Sequence, residues 1–272
     1  MPHMWVVYAI SLPAADPGWF DSSRLPVLIC AILSIAIVLY TTYHRRSRER
    51  FKMREIAGLK AVEEAIGRAT EMARPLLFTP GWGGDIQRPT TIASMNILGH
   101  VAQITASYDC PLLYPTHDPV IMSVAQEVVR EAYLKAGYPD RMREDDIRYV
   151  SSSQFGYAAA VDGMISRLKP ASIFLLGTFE AESLILAETG NSVGAIQIAG
   201  TDSTIQLSFF IVACDYTLIG EELFAASGYL SQDPSILASV RSQDILKVLI
   251  VVFILLATIW ATIDPASTWW QF

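Results

Sequence analysis

Two stretches of the chain show no alternation of polar and apolar positions. Residues 25–43, LPVLICAILSIAIVLYTTY, carry no charge, and residues 245–263, ILKVLIVVFILLATIWATI, carry one, Lys247 near their start. At about 1.5 Å per residue each spans roughly the 30 Å hydrocarbon core of a bilayer, so each is predicted to be a transmembrane helix. Between them the period changes. Ile56, Leu59, Val62, Ile66, Ala69 and Ala73 recur every three or four residues, which predicts a helix over 51–74, running on from the first span and stopped by Pro75. From there short apolar runs alternate with helix-length stretches. Strands are predicted at 76–78, 111–114, 147–150, 171–176, 193–199 and 207–214, and helices at 89–108, 118–136, 155–168, 181–188 and 219–231. The run 171–176, ASIFLL, has the two-sided apolarity of a central parallel strand covered by helices on both faces. Single helices between successive strands mean crossover connections, so the expected fold is α/β, a doubly wound, mostly parallel, Rossmann-like sheet.

Charge orients this arrangement. Arg45, Arg46, Arg48, Arg50, Lys52 and Arg54 follow the first span directly, and basic residues at one end of a span mark the cytoplasmic side. The expected organisation is an extracytoplasmic segment (1–24), the first span (25–43), a basic juxtamembrane region and helix (44–74), a cytoplasmic α/β domain (75–244), the second span (245–263) and an extracytoplasmic tail (264–272). Trp269 and Trp270 in that tail suit the membrane interface. A cleaved signal peptide is not expected, because Asp16 and Asp21 precede the first span and the basic block follows it.

A net charge of −7 over 272 residues argues against nucleic acid as a partner, since phosphate binding needs a basic face. The basic cluster instead suits lipid headgroups, making the bilayer the expected partner. Cys30, Cys110 and Cys214 are isolated, with neither CxxC nor Cys/His ligand spacing, so no disulfide framework or zinc site is expected.

In an open α/β sheet ligands bind at the carboxyl ends of the strands. Those ends are expected to carry Gly81, Ser151, Thr178, Glu180, Thr201, Asp202 and Asp215 as candidate ligand-binding residues. The same residue types make turns and helix caps in any α/β protein, and that reading carries more weight. The turn Gly81-Trp82-Gly83-Gly84-Asp85 lacks both the G-x-G-x-x-G and the P-loop pattern, leaving only an amide nest for an anion. Glu180, Glu182, Asp202, Asp215, Glu221 and Glu222 show no metal-ligand spacing, and neither His100 nor His117 belongs to a nucleophile–base motif. No catalytic residue, metal or cofactor is assigned, and an enzyme is not supported.

The phrases GAIQIAGT (194–201), FFIVACDYTLIGEELFAASGYLS (209–231) and RSQDILK (241–247) resemble a prokaryotic family of two-span membrane proteins, a domain of unknown function. The resemblance implies a prokaryotic plasma-membrane protein and carries no site residues with it. Two functions are weighed. The first is a self-assembling, homo-oligomeric membrane scaffold, with ring formation as one outcome. Neither span holds a charge at its centre that would mark a transport path, and Cys30/Ser34 and Ala257/Ala261 have the small-xxx-small spacing of close helix contacts. The alternative is a membrane-tethered sensor or enzyme taking a small molecule of unspecified type in the crevice.

Overall fold

The computed structural model describes residues 25–44, 57–231 and 234–263. Helix α1 (Leu25–His44) is followed by α2 (Ala57–Glu71) and then by alternating strands and helices: β1 (Leu76–Thr79), α3 (Pro89–Tyr108), β2 (Leu112–Thr116), α4 (Pro119–Ala136), β3 (Ile147–Tyr149), α5 (Gln154–Leu168), β4 (Ser172–Leu176), α6 (Glu182–Ser192), β5 (Ile196–Thr201), α7 (Thr204–Ala213), β6 (Tyr216–Ile219), α8 (Glu221–Ser231) and α9 (Pro234–Ile263). Every strand pairing is parallel and the order is β3-β2-β1-β4-β5-β6. This is the doubly wound α/β fold, with the strand order reversing between β1 and β4.

The sheet is apolar on both faces because each face carries its own helices. Against one face lie α2, α3, α4 and α8, sharing a core with Ile66, Leu98, Phe78 and Phe174. Across this face Phe78 stacks on Tyr114 and Phe174, with ring centroids 5.9 and 5.7 Å apart on neighbouring strands. On the other face α5, α6 and α7 enclose Leu77, Tyr157, Val161 and Phe210. Burial on both faces is why β1 and β4 read as unbroken apolar runs.

One predicted element changes type. Residues 207–214, expected as a strand, lie mostly in helix α7, capped by the Ser203 hydroxyl, which accepts from the Gln206 N–H at 3.5 Å. The last strand is instead β6, just ahead of the final predicted helix, which is α8. A short apolar run does not distinguish strand from helix by period alone.

Helix α9 is one continuous helix of 30 residues, beginning well ahead of the predicted second span. Its stretch Ile236–Ile259 is long and apolar enough to cross a membrane. Its first turns belong to the domain. Ala238 and Ser242 are buried, and Ile236 and Leu237 pack over Gly228 of α8. The direction of α9 follows from the connections. Helix α8 starts at the carboxyl edge of the sheet and runs toward the amino edge, parallel to α3, where Asn96 Nδ2 donates to Ser227 Oγ at 3.1 Å. Helix α9 turns back along α8 and reaches the carboxyl edge at Lys247, whose ammonium pairs with Glu221 in the first turn of α8. Residues beyond Lys247 continue away from that edge, with α1 packed alongside. Arg45, Arg46, Arg48, Arg50, Trp269 and Trp270 lie outside the described residues.

Candidate functional site

The reversal of strand order places the loop after β1 beside the loop after β4. These two loops hold each other. The Gly83 N–H donates to Thr178 O at 3.0 Å, and the Thr178 N–H donates to Pro80 O at 3.1 Å. Glycine makes the approach available. Gly81 has φ +80°, and a Cβ there would sit 2.3 Å from Thr178 O; a Cβ on Gly177 would sit 2.1 Å from Pro80 O. Helix α3 is fastened to the same point through Thr90 Oγ1 and Thr178 Oγ1, 2.7 Å apart, and through the Ser94 hydroxyl, which donates to Leu176 O at 2.6 Å.

Glu182, the first residue of α6, occupies the centre of this crevice and is only 1% exposed. Its Oε1 accepts from the Trp82 N–H at 3.0 Å and the Glu180 N–H at 3.1 Å, and its Oε2 accepts from Gln154 Nε2 at 2.9 Å. A carboxylate offers only acceptors, and here three donors converge on it. Backbone amides at a glycine-rich turn and a helix start would be the place for a bound anion. In this protein an internal carboxylate occupies that place.

Around Glu182 lies a layer of rings. The Trp82 indole N–H donates to Ser152 O at 2.9 Å, and the Trp82 ring lies 5.9 Å from that of His117. His117 Nδ1 lies 3.1 Å from Gly81 O, so the proton belongs on Nδ1, and the imidazole meets the Tyr157 ring edge-on at 6.0 Å. Tyr157 is fully buried and its hydroxyl pairs with Thr79 Oγ1. Burial pushes the Tyr157 phenol far above its ordinary range, so it remains protonated.

Burial also lowers the His117 imidazole below its ordinary 6.5, an effect partly opposed by its backbone contacts with Gly81 and Gly84 and by Asp118 and Glu182. The unfolded chain therefore binds this proton more tightly than the folded one. Stability is complete above pH 6.5, falls as the pH drops from there to the depressed folded value, and then levels off. His100 is lowered in the same sense, again mainly by burial. Denaturant titrations of the full-length protein in detergent at a series of pH values check this: His117→Gln is expected to flatten the dependence below pH 6.5.

The candidate residues read from the sequence fall into three groups. Gly81, Thr178 and Glu180 come together at the switch point, and Ser151 borders it, its hydroxyl accepting from the Ser153 N–H at 3.2 Å. Thr201 and Asp202 lie one strand further along; Thr201 Oγ1 accepts from the Ser203 N–H at 3.3 Å and Asp202 is exposed. Asp215 is a correction. Because α7 is a helix, Asp215 precedes β6 and sits at the amino edge, where its Oδ2 accepts from the Gln197 N–H at 2.8 Å. Glu182, His117, Trp82 and Tyr157 were not among the candidates. The tryptophan inside a glycine turn was the one local signal for them.

Among the described residues, no three His, Cys, Asp or Glu side chains are placed to share a metal ion. A cavity of about 280 Å³ opens at the amino edge between Thr105, Cys110, Tyr133, Arg141, Arg143 and Asp146. Arg141 in its wall is already committed, donating to Ala106 O at 2.7 Å and Ser107 O at 3.3 Å and so capping the end of α3. Burial pushes the Cys110 thiol up to about 11, which leaves it a packed thiol rather than a nucleophile.

No curated protein and no solved structure matches this chain. A family model does match, over residues 15–271, and the chain belongs to that family, DUF6754, a domain of unknown function.

Proposed function

We propose that the protein is a membrane-anchored scaffold that assembles with copies of itself, ring formation being one form of that assembly. In this reading α1 and α9 both cross the plasma membrane of a prokaryote, with the α/β domain on the cytoplasmic side and both termini on the other. The observation that carries it is the outer face of α7. Phe209, Ile211 and Val212 are exposed there, Val212 at 88%, beside β6, the edge strand of the sheet. A contiguous apolar face on a side of the domain marks an interaction surface. A second copy suits it because α9 enters the domain as one unbroken helix, so copies in one membrane share an orientation and present this side laterally.

The filled crevice supports the same reading against a small-molecule role. Glu182 already takes the amides that an anionic ligand would use. Thermal-shift screens with nucleotides, phosphorylated metabolites and divalent metals are expected to leave the melting temperature unchanged. A saturable increase with any of them would favour the sensor or enzyme reading.

Light scattering on the gently solubilised protein tests assembly directly. The wild type is expected as a uniform particle of many 30.0 kDa chains. Val212→Glu should reduce it to a monomer or dimer, whereas Leu134→Glu, at an exposed apolar position on α4, should leave it intact. A monomeric wild type would remove the scaffold reading, and an unaltered V212E particle would remove α7 as its contact.

A further inference from the structure

Each of the five helices that follow β1 to β5 has a large exposed apolar side chain in its first turn. These are Ile92 on α3, Val120 on α4, Phe155 on α5, Leu184 on α6 and Ile205 on α7; Ile219 at the end of β6 completes the row. Phe155 is 71% and Ile205 is 70% exposed. All six lie on the carboxyl edge of the sheet, from β3 at one end to β6 at the other, a width of about 24 Å at 4.8 Å per strand. Helix starts ordinarily present polar caps to water. Here the polar groups nearby are taken up by backbone: Asp118 Oδ1, capping α4, accepts from the Val120 and Ile121 N–H groups at 2.6 and 3.4 Å, and Asp85 Oδ1, in the turn before α3, accepts from those of Gln87 and Arg88 at 3.1 and 3.0 Å.

The path of α9 says what lies against this edge. Lys247 pairs with Glu221 at the level of the carboxyl edge, and the uninterrupted apolar sequence begins with the next residue, Val248. One residue rises about 1.5 Å along a helix, and each headgroup layer of a bilayer is about 5–8 Å deep. The edge therefore falls within the headgroup layer of whatever bilayer α9 enters. We infer that the carboxyl edge of the α/β domain docks on the surface of its own membrane, with the six apolar side chains seated among the lipid headgroups and upper acyl carbons. This rests on the reading of α9 as a membrane span. The docking is apolar in origin. On this edge Asp85, Asp118, Glu180, Asp202 and Glu221 outnumber Arg88 and Lys247, so the edge itself holds no net attraction for anionic lipid. The switch-point crevice then opens toward the membrane rather than toward bulk solvent.

Environment-sensitive fluorophores on single cysteines test this in full-length protein reconstituted in phosphatidylcholine bilayers, with Cys30, Cys110 and Cys214 replaced by serine. Probes at Phe155→Cys and Ile205→Cys are expected to emit in an apolar environment. Lipids spin-labelled near the headgroup should quench them several-fold more than probes at Tyr108→Cys and Leu134→Cys on the far ends of α3 and α4. A probe at Ile254→Cys, quenched with lipids spin-labelled along the acyl chain, reports the span itself. Quenching at 254 without quenching at 155 or 205 overturns the docking and leaves the anchor standing. An unquenched 254 overturns the anchor. A probe at 155 or 205 shielded from water yet unquenched by lipid also overturns docking, because another protein surface then covers the edge.

Discussion

Gly81→Ala is expected to destabilise the α/β domain by about 3–5 kcal/mol, through a strained backbone and a collision the fold cannot relieve. At φ +80° any side chain is strained, and the added Cβ would stand 2.3 Å from the carbonyl oxygen of Thr178. That oxygen is held from the other side, since it accepts the Gly83 N–H at 3.0 Å while Thr178 donates to Pro80 O. Relief would require parting the loops after β1 and β4, which breaks both bonds. Gly177→Ala makes the reciprocal collision, 2.1 Å from Pro80 O. Gly137→Ala separates strain from collision. Gly137 ends α4 at φ +84°, but nothing lies within 4 Å of where its Cβ would be. Its expected cost is therefore about 1 kcal/mol. For a domain of this size each kcal/mol moves the melting temperature by about 2–4 °C, so thermal unfolding in detergent resolves the difference. Equal losses for G81A and G137A would mean that the two loops are not rigidly joined.

The second large effect is expected at Glu182. Removing its carboxylate by Glu182→Ala leaves the Trp82 and Glu180 N–H groups and the Gln154 amide without their shared acceptor in a partly buried site. Orphaning buried donors costs about 1–3 kcal/mol per group, but the exposed Glu180 and the half-buried Gln154 have room to find water, so about 2–4 kcal/mol in total is expected. Glu182→Gln keeps one acceptor for the two backbone amides and requires only that the Gln154 amide turn over, so its loss should be about half as large. If the carboxylate stands where an anion would sit, formate should partly restore E182A and leave the wild type unchanged. Full stability in E182A would show that the crevice does not depend on its internal acceptor. Formate raising the wild type as strongly as E182A would show that another vacant amide site exists.

Both effects arise at a place the local pattern only half reveals. The turn at Gly81 stood out because its three glycines invited comparison with phosphate-binding loops. Its partner Thr178 was placed at the end of a central strand by the apolar run before it. That the two loops touch follows from β1 pairing with β4, a register set by the whole sheet. Glu182 is 100 residues from Trp82, and in the sequence it was one carboxylate among six without a distinguishing neighbour. Nothing within its helix separates an internal acceptor from a residue that favours the helix dipole.

The misassigned stretch has a similar cause. LSFFIVAC is apolar and short, equally suited to a buried strand and to a helix with one buried residue. In the structure Phe210 alone of α7 is fully buried, against Phe179 at 5.1 Å; Leu207 and Ala213 are half-buried, and Ile205, Phe209, Ile211 and Val212 are exposed. The change of type moved Asp215 from the carboxyl to the amino edge. It also converted what read as core into the exposed face now proposed to meet another copy.

What the sequence determined by itself was the class of fold and the long apolar stretch of α9, because both depend on local pattern: alternating strand and helix lengths imply parallel crossovers, and a long apolar run has the length to cross a bilayer. The tertiary structure alone decided which loops meet, which carboxylate fills the crevice and which edge faces along α9. Those outcomes depend on strand order and on contacts between distant residues, chiefly Trp82 with Glu182 and Glu221 with Lys247. No window of the sequence contains both partners of either pair.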